Sequence, residues 1–237
     1  MDCGIYMTGA FGQSQELYKA RNEYKRGRGS LENLEKQTIV ATKSVIEMQK
    51  RCGCKYVIDP QFKYYDILQA FVENVEGVTA GPQENWFNNN TFFRRPIIKG
   101  PLSLPTKSFL EAYLDIDLLN KSASSMAILP SPYTLFALSD CHGYSNEIEA
   151  ISNLALILRG EVENLRSLGV KRIQFDEPVL AMKNSLGSLD KKDLELFKLA
   201  YSIIAPLEGI STSIHTYYGR VDSLLEDLLE IPVDCIS

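Results

Sequence analysis

Histidine is nearly missing from this chain. Among 237 residues only His142 and His215 occur, and a lone histidine is more often hydrogen-bonded structure than a metal ligand. No apolar run approaches the roughly eighteen residues of a membrane span. No Gly-x-Gly-x-x-Gly follows a strand, and there is no Gly-x-x-x-x-Gly-Lys, so dinucleotide and P-loop fingerprints are excluded. A Gly-x-Ser-x-Gly elbow is missing too. Cys52-Gly53-Cys54 has the wrong spacing for a zinc knuckle, and Cys141-His142 lies in a Gly/Ser loop; neither reads as a metal site. The five cysteines (Cys3, Cys52, Cys54, Cys141, Cys235) are odd in number and scattered, and no secretory signal precedes them. Reduced thiols in a cytoplasmic protein are expected. The net charge is −5 and the pI about 5.2, which argues against nucleic acid as a partner. A local basic cluster, Arg21, Lys25, Arg26 and Arg28, reads as a solvated face.

What is present is the material of one ordinary domain over residues 1–237, with 45% hydrophobic and 23% charged residues. Its most informative stretch is Arg172-Ile173-Gln174-Phe175-Asp176-Glu177-Pro178: a buried strand that stops at two carboxylates and a proline. Acids at the carboxyl end of an inner strand are where open sheets and barrels place their chemistry. As bare residues, Asp176 and Glu177 fit a substrate clamp and a helix cap equally well.

The chain alternates around that stretch. Gly4 to Phe11 predicts a first strand. Leu31, Leu34, Thr38, Ala41, Val45 and Met48 predict a helix from a Ser30 cap to Gly53. Tyr56 to Pro60 predicts a second strand. Gln61 to Asn90, ending in Asn88-Asn89-Asn90, predicts a helix followed by a long loop or hairpin. Pro96 to Pro101 predicts a third strand, and Lys121 to Ser139 a helix-like segment interrupted by Pro130 and Pro132. Ile148, Ile151, Ala155, Leu158, Val162 and Leu165 predict a long helix ending at Gly169, before the strand at 172–176. Asp190 caps another helix through Ile204. A fifth strand follows at Ser211 to Tyr217, a short helix at Leu224 to Leu229 and a sixth strand from Asp234.

Strand–helix alternation predicts a parallel α/β sheet, and a (β/α)8 barrel is its best architecture, with Asp59, Asp176 and His215 at carboxyl strand ends. Six strands do not close eight, so a barrel truncated after about six strands is expected. Its open edge at Cys235-Ile236 predicts a longer natural chain, a fragment, or a covering subunit.

The order of segments resembles the cobalamin-independent methionine synthase family across essentially the whole chain. The resemblance is carried by Thr8-Gly9-Ala10-Phe11, Glu16 to Arg21 with Tyr24 to Gly27, Asp59-Pro60-Gln61-Phe62 with Tyr65-Asp66, and Lys99-Gly100-Pro101. It continues through Ile173 to Pro178, His215-Thr216-Tyr217-Tyr218-Gly219 and Leu229 to Asp234. The family implies two similar (β/α)8 barrels. The carboxyl-terminal one binds zinc and homocysteine and transfers a methyl group from a methyl-folate; the amino-terminal one has lost the metal and helps to hold the folate.

Carried over residue by residue, the resemblance places Asp176 at the acid that contacts the substrate's amino group. It makes Glu177, Gln61 and Asp66 further substrate-binding candidates. His215 matches the histidine of a zinc-binding His-x-Cys pair, but Tyr217 stands where the cysteine belongs, and a phenol is a poor replacement for a thiolate. Ala10 replaces a serine, and Gln61 a glutamate. These departures resemble the amino-terminal, non-zinc barrel. Where that barrel has Arg-Glu-Leu-Lys this chain has Gln15-Glu16-Leu17-Tyr18, leaving Lys19 and Arg21 to meet a folate tail.

Three functions follow: a methionine-synthase component working with a separate catalytic barrel or with residues outside this chain, a non-catalytic ligand- or partner-binding relative, or another one-carbon or decarboxylase chemistry on a related barrel. The partner expected is a catalytic barrel or a second copy of the chain.

Overall fold

Five parallel strands form a curved wall. β1 (Val57–Ile58), β4 (Ser125–Pro130), β6 (Arg172–Asp176), β7 (Ser211–His215) and β8 (Cys235–Ile236) lie in that order. A second sheet of three strands pairs β2 (Val78–Asn85) antiparallel to β3 (Phe92–Ile98), and β3 parallel to β5 (Asp140–Cys141). The structure, a computed structural model, describes residues 4–87, 89–90, 92–121, 124–205 and 207–237. Cys3 and Asn88, named above, lie outside the described residues, as do Ser122 and Ala123 of the 121–139 segment.

Helices α1 (Gln15–Lys25) and α2 (Leu31–Arg51) precede the wall. The short α3 (Gln69–Asn74), α4 (Ile116–Asn120) and α5 (Pro132–Ala137) come next, then α6 (Glu147–Ser167), α7 (Pro178–Ser185), α8 (Lys191–Ile204) and α9 (Leu225–Leu229). The long helix α6 shows why such segments form. Asn146 caps its first turn by accepting the Glu149 N–H at 2.9 Å, acids occupy that turn, and Arg166 sits in the last. Ile151, Leu154, Ala155, Leu158, Val162 and Leu165 are fully buried, each large side chain contributing about 1.5–3 kcal/mol. Ile148, expected on that stripe, is instead 59% exposed. No helix among the described residues is long and apolar enough to cross a membrane.

Alternation divides the wall into two faces. Ala127, Leu129, Ile173, Phe175 and Ile214 join the main core against the helices. Ile58, Met126 and Ile128 form a separate inner cluster with Tyr6, Phe11 and Tyr56. Arg172, Gln174 and Asp176 alternate with the core residues of β6 and so face inward.

Three expectations about strands need correction. The segment at 4–11 is not a strand. Backbone hydrogen bonds join it to residues flanking β1, where Lys55 N–H donates to Ile5 O at 2.8 Å and Phe11 N–H to Pro60 O at 3.2 Å. The reason is Gln49 of α2: its amide donates to Ile58 O at 2.9 Å and accepts the Ile58 N–H at 3.0 Å, occupying the edge a first strand would use. Of the segment at 96–101, only residues 96–98 are strand, and they end β3 in the antiparallel hairpin, not the parallel wall. Residues 125–130, read as helix-like, are strand β4, buried along its whole length. Fully buried strands lose the polar alternation that would reveal them. The prolines mark its boundary: Pro130 ends β4, Ser131 caps α5, and Pro132 takes the first helical position.

On α2 the buried positions are Thr38, Ala41, Thr42, Ile46 and Gln49, so the stripe is shifted from the predicted one and Leu31 is half exposed.

Candidate functional site

Asp176 ends β6 with its backbone in register with His215 on β7 and Pro130 on β4. The residue is 8% exposed. Its hydrogen-bond donors are Gln174 Nε2 at 2.7 Å and the Tyr217 hydroxyl at 3.3 Å, both neutral. Burial pushes the carboxyl up to about 7, against the opposing pull of those two donors. No ion pair to Asp176 is formed among the described residues.

Gln174 is fully buried and its orientation is settled by its partners. Its Nε2 serves two acceptors, Asp176 Oδ1 and Thr8 O at 3.0 Å, which leaves Oε1 without a partner. The 4–11 segment is therefore drawn across the inner face. Arg172 lies against the rings of Tyr6 and Tyr56, 5.4 and 4.6 Å from their centroids.

His215 Nδ1 is 3.0 Å from Ser237 Oγ, and its ring stands 5.3 Å from that of Tyr217. Burial lowers the imidazole below its ordinary value, favouring the neutral form. Burial, and then Asp176, raise the Tyr217 phenol far above its ordinary range, so it stays a hydrogen-bond donor. Tyr218 holds φ +63°, beside a Gly219 whose close approach to the Ala181 carbonyl leaves no room for a Cβ. Gln61 and Phe87 are the other described non-glycine residues with positive φ (63° and 50°). Phe87 packs on Tyr218 at 5.7 Å, so backbone strain gathers near this rim.

The remaining candidates separate. Glu177 does not face the rim: it is fully buried, accepts from Ser131 Oγ, from Thr134 Oγ1 at 2.7 Å and from the Leu180 N–H at 3.0 Å, and caps α7. Its oxygens are spent on the protein, because consecutive strand-end residues point to opposite sides. Asp66 accepts the Leu68 N–H at 2.9 Å at the start of α3; burial raises it to about 6. It borders a groove of about 330 Å³ with Gln69, Glu73 and Arg94. Gln61 is half-buried and its N–H donates to Asp59 Oδ1 at 2.8 Å. Tyr64, buried beside it, feels both Asp59 and Asp176.

Lys19 and Arg21, two apart on α1, face different ways. Lys19 is exposed and borders a groove of about 420 Å³ with Arg26 and Arg28. Arg21 donates to Phe62 O and lies 5.8 Å over the Tyr65 ring, in a larger groove of about 870 Å³ between α1, α2 and residues 111–117. None of these three grooves is lined by Asp176. Convergent chemistry, rather than volume, marks the strand tips as the site.

The donors present do not fit the zinc that the resemblance implies. His215 is the only imidazole at these strand tips, Tyr217 is committed to Asp176, and no three His, Cys, Asp or Glu side chains converge among the described residues. Gln174 and Ser237 were missed in the sequence. Alternation from Asp176 would have found Gln174; only the pairing of β7 with β8 reveals Ser237.

The family model described as "Cobalamin-independent synthase, Catalytic domain" matches residues 6–237. The 5-methyltetrahydropteroyltriglutamate–homocysteine methyltransferase of Thermotoga maritima is 28% identical over 236 residues, covering 97% of this chain and 32% of the relative. That of Saccharophagus degradans is 27% identical, covering 97% and 30%. The chain thus spans about a third of the length of these relatives. Among solved structures, a Listeria monocytogenes protein described as a vitamin-B12 independent methionine synthase superposes with a TM-score of 0.75 at 19% identity, covering 96% of this chain and 70% of the other. A B12-independent methionine synthase from Shewanella sp. W3-18-1, in complex with selenomethionine, gives 0.64 at 21% identity, covering 88% and 65%. The wall is thus similar in fold to those barrels.

Proposed function

Because the chain belongs to the cobalamin-independent methionine synthase family, we propose that it serves methyl transfer to homocysteine in methionine biosynthesis. In this reading Asp176 holds the amino acid's ammonium group. The thiol-activating centre comes from a separate catalytic barrel or from residues outside this sequence, and a methyl-folate is the co-substrate. Lys19 and Arg21 open into different grooves, so at most one of them meets a folate tail.

One observation supports this best: a carboxyl at a parallel strand tip, buried, held by Gln174 and Tyr217 and by no cation among the described residues. Burial keeps such a carboxyl partly protonated. An ammonium group arriving beside it restores the charged form and makes charge-assisted hydrogen bonds. Homocysteine titration by calorimetry tests the reading. Asp176→Asn is expected to weaken binding by at least about tenfold; equal affinity of variant and wild type would sink it.

Tyr217 favours a second reading, a relative that binds ligand without turnover, since it stands where the resemblance implies a metal-binding cysteine and no three His, Cys, Asp or Glu side chains converge among the described residues. Methyl transfer by the purified chain alone, from a methyl-folate to homocysteine, would overturn that second reading.

A further inference from the structure

We propose that this site recognises the amino-acid head of its ligand and not its sulfur, so that α-amino acids with uncharged thioether or hydrocarbon side chains bind without metal as well as the thiol does. The proposal rests on the reading of Asp176 as an ammonium anchor.

The argument starts from what each group at the rim is already doing. A site that selects for sulfur through a metal needs free, converging donors around one point. Here Tyr217 donates its hydroxyl to Asp176 Oδ2 at 3.3 Å. His215 Nδ1 is engaged with Ser237 Oγ at 3.0 Å. Cys235 lies two residues before Ser237, about 6–7 Å further down the strand, its Sγ 3.8 Å from Ile236 O. With His215 kept neutral by burial, no fixed positive charge in this set would compensate a thiolate, and the Asp176 carboxylate would repel it.

The ammonium end of an amino acid finds the opposite. An ammonium group carries three N–H donors and needs acceptors for all of them. Asp176 supplies one carboxyl. The buried Oε1 of Gln174, on the same amide that grips Asp176 Oδ1, is an acceptor with no partner. A buried acceptor left unmatched costs about 1–3 kcal/mol, and a donor-rich head beside Asp176 would relieve it. What the rim offers a side chain is aromatic surface: the His215 and Tyr217 rings at 5.3 Å, Tyr217 and Tyr218 at 4.9 Å, and Phe87 on Tyr218 at 5.7 Å. Such faces favour a thioether or a plain methylene chain over a charged sulfur.

Calorimetric titration of the full chain with homocysteine, methionine and norleucine, each with EDTA and with added zinc, tests this. All three are expected to bind within about threefold of one another, unchanged by EDTA. Homocysteine binding that requires zinc, or that is more than about tenfold tighter than norleucine binding, would overturn the proposal while leaving Asp176 as the ammonium anchor. Binding of none of the three would overturn the anchor as well.

Discussion

Two regions bury a carboxyl group, and burial pushes both to about 7: Asp176 at the tip of β6 and Glu161 inside α6. Their surroundings differ. Glu161 is fully buried and accepts from Ser108 Oγ at 2.6 Å and from the backbone N–H groups of Phe109 and Leu110 at 2.9 and 3.2 Å. Backbone donors cannot turn away, so that cluster is closed and pins the 108–110 loop to the helix. Asp176 is met by two side chains, next to an acceptor that has nothing to accept. A raised pKa reports burial in both places; the kind of donor separates a clamp from a binding group. Glu177, one residue beyond Asp176, falls with Glu161 by this standard.

The contrast can be broken most directly by truncating a closed carboxyl. Glu177→Ala leaves Ser131, Thr134 and the first turn of α7 without their acceptor, and is expected to cost about 4 kcal/mol in urea unfolding; a loss too small to resolve would mean that cluster is not closed. A smaller effect is expected from pH. Glu161 ionises at about 7 in the folded chain, against an ordinary value of 4.5, so the native state binds the extra proton between those values. Stability from this group should be fully present below about 4.5 and fall as pH rises to about 7, by on the order of 3 kcal/mol. Asp176 and Asp66, also raised by burial, add a fall of the same sign, so urea midpoints at pH 5 and pH 7.5 are compared between the chain and Glu161→Gln; an equal fall in both would contradict the closed cluster. The smallest change is expected at the open site. Asp176→Asn keeps the shape and an oxygen to accept from Gln174, while the Tyr217 hydroxyl can rotate to accept from the new amide N–H, so stability should alter by less than about 1 kcal/mol. A loss as large as that at Glu177 would place Asp176 among the structural carboxyls.

Much of this was legible in the chain, and the misses have physical reasons. Strand 172–176, the long helix before Gly169, the helix capped by Asp190, and β7 follow from periodicity and cap chemistry. The strand at 125–130 was hidden because burial on both faces erases alternation. The 4–11 segment carries strand-like residues, yet no local pattern reveals that a helix amide has taken its bonding edge. For the site, Asp176 stands out at the end of a buried strand. The fate of Glu177 depends on Ser131 and Thr134, forty-six and forty-three residues away, and no spacing rule connects them.

Gln49 carries a wider consequence. By offering one donor and one acceptor to Ile58, a single side chain imitates the backbone of a neighbouring strand and seals that margin of the wall. Growth of the sheet is thereby made one-directional. A further strand can join beside Cys235–Ile236, while at the opposite margin a newcomer would first have to prise α2 away from the wall.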